Sequence, residues 1–121
     1  FLIRAECSAR TGNTEEAMAD LNALMEKRWV RGKFKPFTAA SPEDALTKIL
    51  IERRKELIMR GVRWSDLRRL NKDPRFAKTL KRVLINGTDT KTYTLLPGDP
   101  RYILKIPADV IALTGMEQNP D

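Results

Sequence analysis

Histidine is absent from this sequence of 121 residues, and cysteine occurs once, as Cys7. The first absence removes the commonest general base and the commonest metal ligand. The second leaves no partner for an internal disulfide and no thiolate set for zinc. No metal and no cofactor is therefore expected. Cys7 lies within an apolar helical pattern, which predicts a buried, inert thiol. Long apolar runs are missing as well: none approaches the ~20 residues that span a bilayer. No secretion leader is legible. Residue 1 already sits inside an amphipathic pattern, so the chain is expected to begin mid-protein. Neither a phosphate-binding glycine loop nor a nucleophile motif occurs. An enzyme is not expected.

What the chain does have is charge, and it is uneven. The composition, 41% hydrophobic and 32% charged, is that of a soluble globular protein. Positions 48–82 carry 13 Lys/Arg against 4 Asp/Glu, a balance of +9, so the rest of the +7 chain carries −2. A block of this kind suits nucleic acid, an anionic surface or a structural ion network.

Apolar and small residues at Leu2, Ile3, Ala5 and Ala9 predict a helix over residues 1–11. Gly12 follows where helices end in the left-handed conformation. Asn13 or Thr14 can cap a second helix, with Glu15 and Glu16 at its positive end and Ala17, Leu21, Leu24 and Met25 on its face. It should run to about Arg28. So short a turn makes the two helices antiparallel neighbours, in the manner of a tetratricopeptide hairpin. No second copy occurs at a period of ~34 residues.

Residues 29–41 read as a basic loop broken by Gly32 and Pro36. Its aromatics, Trp29, Phe34 and Phe37, either tuck the loop onto the helices or stack on a sugar or base; they are the only candidate ligand-binding residues. Ser41-Pro42-Glu43-Asp44 starts a third helix. Its apolar stripe holds Ala45, Leu46, Ile49, Leu50 and Leu57, with Arg53 falling on it, and Gly61 is its expected end. A short helix follows from Trp64 to Leu70. Residues 76–83 suggest a helical turn or two. Asn86-Gly87 signals a turn. Residues 92–95 and 102–106 alternate as short strands, and Pro107 opens a last short helix. The predicted fold class is mostly α: a tetratricopeptide-like helical hairpin, further helices and a short β-hairpin near the C-terminus.

The arginine-rich stretch is interleaved with acids. Glu52 and Glu56 are four apart, Arg60 lies four beyond Glu56, and Asp66 stands among Arg63, Arg68 and Arg69. Mixed signs around Trp64 favour a structural corner over a phosphate-binding face. Glu52, Arg53, Arg54, Glu56, Trp64, Asp66 and Arg68 are assigned to it, with Trp64 as a core residue. Carboxylates ringed by arginine stay ionised, which disfavours a general acid.

Three blocks carry a family resemblance. The first runs from Phe1-Leu2-Ile3-Arg4-Ala5-Glu6 through Gly12-Asn13-Thr14-Glu15-Glu16-Ala17 to Leu21-Asn22. The second is Ile51-Glu52-Arg53-Arg54-Lys55-Glu56-Leu57 with Gly61-Val62-Arg63-Trp64-Ser65-Asp66-Leu67-Arg68-Arg69. The third is Leu104-Lys105-Ile106-Pro107-Ala108-Asp109-Val110-Ile111 with Gln118-Asn119-Pro120. In this order they resemble the C-terminal part of SusD/RagB-like outer-membrane lipoproteins of Bacteroidetes-type bacteria. Departures are Arg60 for the usual acid, Ser65 for a common aromatic and Lys105 for a proline.

The resemblance implies that residues 1–121 are a C-terminal helical domain of a larger, non-enzymatic chain. That chain would be tethered to the outer membrane, facing outward, by an N-terminal lipid-bearing cysteine that is not Cys7. It would capture oligosaccharides for import through a SusC-like TonB-dependent porin. The alternative is a tetratricopeptide-like protein-interaction scaffold, and a weaker one is nucleic-acid binding.

Overall fold

The computed structural model describes residues 1–120. Its elements are α1 (Leu2–Arg10), α2 (Thr14–Glu26), α3 (Pro42–Glu56), α4 (Arg63–Leu70), β1 (Leu80–Asn86), β2 (Asp89–Leu95), a 3-10 turn (Pro100–Tyr102) and α5 (Ala108–Thr114). The chain is mostly helical with one antiparallel hairpin toward its C-terminus, as the sequence predicts. It divides into two compact units, Phe1–Gly61 and the part from Val62 onward.

In the first unit α1 packs on both α2 and α3. Ala5, Ala17 and Ala45 are completely buried, so the helices meet at side chains of one carbon and their backbones approach closely; Leu21 and Ile49 fill the remaining space. The α1–α2 turn is held by local chemistry. Gly12 takes φ +88, a region where a side chain would clash. The Asn13 side chain accepts the Glu16 N–H as an N-cap. Arg4 forks onto the buried Asp20, its Nε reaching Oδ2 at 2.6 Å, and these hydrogen bonds hold the Asp20 carboxyl below its ordinary range.

Cys7 is exposed, against expectation. The inward face of α1 is Leu2, Ala5, Glu6, Ser8 and Ala9, and Cys7 shares the outer face with Ile3, four residues earlier.

Helix α3 begins as predicted. Ser41 caps it by accepting the Asp44 N–H, and Pro42 occupies its first turn. It ends at Glu56, five residues before Gly61. Met59 (φ 61) and Gly61 (φ 72) are both left-handed, which a continuing helix excludes. The buried stripe of α3 also differs in one residue: Glu52 is the buried charge, whereas Arg53 is half-buried and Arg54 exposed.

In the second unit, α4 buries Asp66 and Leu67. Residues 76–79 are turn and loop, and the chain enters β1 at Leu80, so the expected helical turns over residues 76–83 are replaced by a strand. β1 pairs with β2 in the register Leu80↔Leu95 to Asn86↔Asp89, and Gly87 (φ 62) supplies the positive φ that a two-residue hairpin turn needs. The second strand expected at residues 102–106 does not form. The backbone there is satisfied by side chains of the closing block instead: Gln118 accepts the Ile106 N–H at 2.8 Å and donates to the Ile106 carbonyl at 3.0 Å, and Asn119 donates to the Leu104 carbonyl at 2.7 Å. An alternating segment needs its backbone groups paired, and two amide side chains can do what a neighbouring strand would.

Beyond the hairpin, Arg101 forks onto Asp99 and also donates to the Thr94 carbonyl. The Arg101 side-chain hydrogen bonds, aided by its backbone N–H, lower the Asp99 carboxyl to about 2 from 3.8. A lowered folded value means that this link contributes stability above about pH 3.8 and loses it as the pH falls through about 2. Replacing Arg101 by Gln is expected to return the Asp99 titration, followed by carboxyl NMR, toward 3.8. An unmoved midpoint would leave the backbone amides as the sole cause.

Candidate functional site: an aromatic cleft beside helix α2

The loop between α2 and α3 is held at both ends. Past the end of α2, Arg28 forks onto Glu56, the last residue of α3, with Nε–Oε1 3.0 Å and Nη2–Oε1 2.5 Å. The hydrogen bonds from Arg28 hold the Glu56 carboxyl below its ordinary range. Glu56 is thus an ionised anchor, unsuited to proton donation. The sequence pairs it with Arg60 by helical spacing; α3 stops at Glu56, and Arg60 acts on the Glu56 carboxyl only as a nearby charge, a smaller influence than the hydrogen bonds from Arg28. The partner is 28 positions away, which no local pattern reveals.

The other end of the loop is fixed by amide chemistry. Asn22 on α2 accepts the Phe37 N–H at 2.8 Å and donates to the Phe37 carbonyl at 2.9 Å. Lys48 Nζ reaches the Thr38 carbonyl and the Asp44 carboxylate, both at 2.6 Å. Asp44 in turn accepts the Ala40 N–H. The sequence marked Asn22 only as part of a family block; its role emerges from the loop folding back on α2.

Between these anchors the three predicted aromatics come together in series. Trp29 and Phe34 meet edge to face with centroids 6.0 Å apart, and Phe34 and Phe37 are tilted at 6.2 Å. Trp29 is 47% exposed, while Phe34 and Phe37 are half-buried. A cleft of about 590 Å³ opens along Trp29, Val30 and Phe34. Lys27, Arg31 and Glu26 give it a polar rim. Phe37 does not line the cleft; it stands behind Phe34 and is itself clamped by Asn22. Such a cleft presents a rigid aromatic face with charged donors beside it, the chemistry that suits a flat, hydroxyl-bearing ligand.

The residues assigned to a structural corner fall on both sides of the division between the units. Glu52 pairs with Lys55 at 2.6 Å and Asp66 with Arg69 at 2.9 Å, each within one helix. Trp64 is 39% exposed rather than enclosed, so it stands at the surface and is not the core residue expected. Its ring lies 4.9 Å from that of Tyr102, and its Nε1 donates to the Tyr102 carbonyl at 3.2 Å. Tyr102, 5% exposed, is the buried member of the pair. Sequence reasoning placed Tyr102 on a strand and gave it no part in the Trp64 cluster. Arg68 is exposed on α4. Among the described residues no group of acidic residues and Cys7 is arranged to hold a metal ion.

Among the described residues no helix is long and apolar enough to cross a membrane. Neither the curated proteins nor the solved structures contain a match to the chain. The model of the SusD family matches residues 1–120, nearly every position. That span takes in the α1–α2 hairpin, the arginine-rich stretch and the amide-clamped closing block, and the chain accordingly belongs to the SusD family.

Proposed function

We propose that this chain is a non-catalytic, glycan-binding part of an outer-membrane lipoprotein, which captures oligosaccharides for import through a SusC-like TonB-dependent porin. Family membership is the observation that carries the reading. The cleft of Trp29 and Phe34 supports it on physical grounds, because an exposed indole backed by a second ring offers a sugar face a preformed stacking surface. In this reading the lipid anchor is a cysteine other than Cys7, which lies in α1.

Titration of the chain against a panel of neutral oligosaccharides tests the proposal. Trp29→Ala is expected to weaken the best ligand about tenfold, equivalent to about 1.4 kcal/mol, with little change in melting temperature because Trp29 is half exposed. Affinity should barely change between about 50 and 200 mM salt, whereas phosphate contacts would weaken steeply over that range. Binding that survives Trp29→Ala unchanged would remove the cleft from the proposal. A steep salt dependence with an oligonucleotide would favour the nucleic-acid reading.

A further inference from the structure

The second unit contains a smaller cavity, of about 210 Å³, between α4 and the 3-10 turn. Pro100, Tyr102 and Ile103 line it on one side, and Arg68 and Lys72 on the other. Its lining is almost wholly apolar even though two of these residues are cations. Long basic side chains do this by laying their alkyl stems along a wall and turning the charged ends away from it.

The charge goes to a neighbouring surface. Ser65, Arg68, Arg69 and Lys72 line a second, open cleft, so Arg68 and Lys72 border both. Arg69 is matched by Asp66 at 2.9 Å. Arg68 and Lys72 have no carboxylate partner among the described residues. The acids closest to them in the chain or in the wall are already taken: Asp73 is engaged by Arg75, and Asp99 by Arg101. Two uncompensated positive charges therefore stand beside an apolar hollow.

That pairing selects its occupant. The hollow is smaller than the about 300–1,000 Å³ of small-molecule pockets, and it suits a single side chain. A carboxylate inside it would lose its water against apolar walls, so an acid belongs outside, on the cationic cleft. An apolar side chain in a hollow with charged groups alongside is the way short protein segments are anchored and read. An anionic bilayer offers the same two chemistries, but its surface is flat, and a concave hollow is entered only by a group that projects.

We propose that this face of α4 docks an acidic segment of a partner protein, with one apolar side chain of leucine or phenylalanine size seated in the cavity and its flanking carboxylates on Arg68 and Lys72. The site lies in the other unit from the Trp29 cleft and does not rest on the glycan-binding reading.

Capped peptides test it on the ¹⁵N-labelled chain: Asp-Glu-Phe-Glu-Asp, its neutral analogue Asn-Gln-Phe-Gln-Asn, and Asp-Glu-Ser-Glu-Asp, which lacks the anchor. The backbone amide signals of Gly98 and Ile103 report on the cavity, which both residues line, and the Trp29 indole signal serves as the control in the other unit. The acidic phenylalanine peptide is expected to shift Gly98 and Ile103 saturably and to leave Trp29 in place. The serine peptide should bind about tenfold more weakly, the scale of an unburied aromatic side chain. The neutral peptide should bind severalfold more weakly and, unlike the acidic one, should not respond to salt. Ile103→Ser, at a position 48% exposed, removes an apolar wall and should weaken the acidic peptide about tenfold. Arg68→Gln, on the exposed side of α4, should weaken it severalfold and flatten its salt dependence, and it decides alone if Ile103→Ser does not fold. Equal binding of the serine peptide would reduce the site to general attraction of polyanions, and equal binding of the neutral peptide would remove Arg68 and Lys72 from it; either overturns the proposal. So would Gly98 and Ile103 signals unmoved by all three peptides. If vesicles of phosphatidylglycerol shifted those signals and the peptides did not, the face would be a membrane surface and the proposal would be wrong.

Discussion

Leu21→Ala is expected to lower the stability of the first unit by about 3 kcal/mol, within the range of about 2–5 kcal/mol for buried leucines cut to alanine. Leu21 is completely buried on α2, and the residues nearest the helix contacts, Ala5, Ala17 and Ala45, are completely buried as well. The cost of such a truncation depends on how far the surroundings collapse into the void. Here they have little freedom to do so. Alanines already bring the backbones close, and a backbone tied by the Asn13 cap and the Arg4–Asp20 fork does not slide inward as a long side chain would. Urea unfolding followed by circular dichroism measures the effect. Leu21→Met, which keeps the volume, should cost under about 1.5 kcal/mol. A loss below about 1 kcal/mol for Leu21→Ala, under the range for such truncations, would mean that the three-helix packing is looser than its burial indicates.

Trp64→Ala is expected to destabilise the second unit by roughly 2–3 kcal/mol, less than the 3–5 kcal/mol for fully buried large aromatics. The reduction follows from its exposure of 39%, since only the covered part of the indole loses its surroundings. Two contributions remain. The ring leaves Tyr102 without its tilted partner at 4.9 Å, and the Tyr102 carbonyl loses its indole donor. Trp64→Phe separates them: it retains a ring, deletes the N–H, and should cost about 1 kcal/mol, the scale of one hydrogen bond. Loss of dispersion in the amide spectrum of residues 62–120 is the readout for Trp64→Ala. If Trp64→Ala left that spectrum intact with an unchanged unfolding midpoint, Tyr102 would hold its place without the indole.

Every helix start that the sequence marked with a local cap is where the structure has it. Asn13 and Ser41 each close a hydrogen bond three residues ahead, and Pro42 is preset for a first turn. The Asn86-Gly87 turn is legible for the same reason, because the requirement for positive φ falls on one glycine. Element ends and partners were harder. Helix α3 ends at Glu56, short of the glycine that marks a stop in the sequence, and Met59 beyond it adopts a left-handed conformation that its residue type disfavours. The strand at Leu80–Asn86 shows its identity only through β2, seven residues of partner in register.

The aromatic cleft was half legible. Trp29, Phe34 and Phe37 stand out in a basic loop, yet which of them lines the cleft and which supports it follows from Asn22 clamping the Phe37 backbone. The cavity of about 210 Å³ that Tyr102 and Arg68 line together was not legible at all. Tyr102 and Arg68 are 34 positions apart, and nothing in either neighbourhood points to the other.

By itself the sequence determined the mostly helical class, the two caps, the hairpin turn, the absence of histidine, and membership of a family recognisable from its blocks. These are properties of single residues or of residues within one turn, where energy depends on local φ/ψ and on hydrogen bonds a few positions apart. Only the tertiary structure decided that Arg28 holds Glu56, that Gln118 and Asn119 replace a strand, that Glu52 rather than Arg53 is buried, and that Trp64 stands at the surface against Tyr102. Each of these joins groups far apart in the chain. Their pairing is set by which backbone the packed helices and loops bring within hydrogen-bond reach, and no spacing along the sequence encodes that distance.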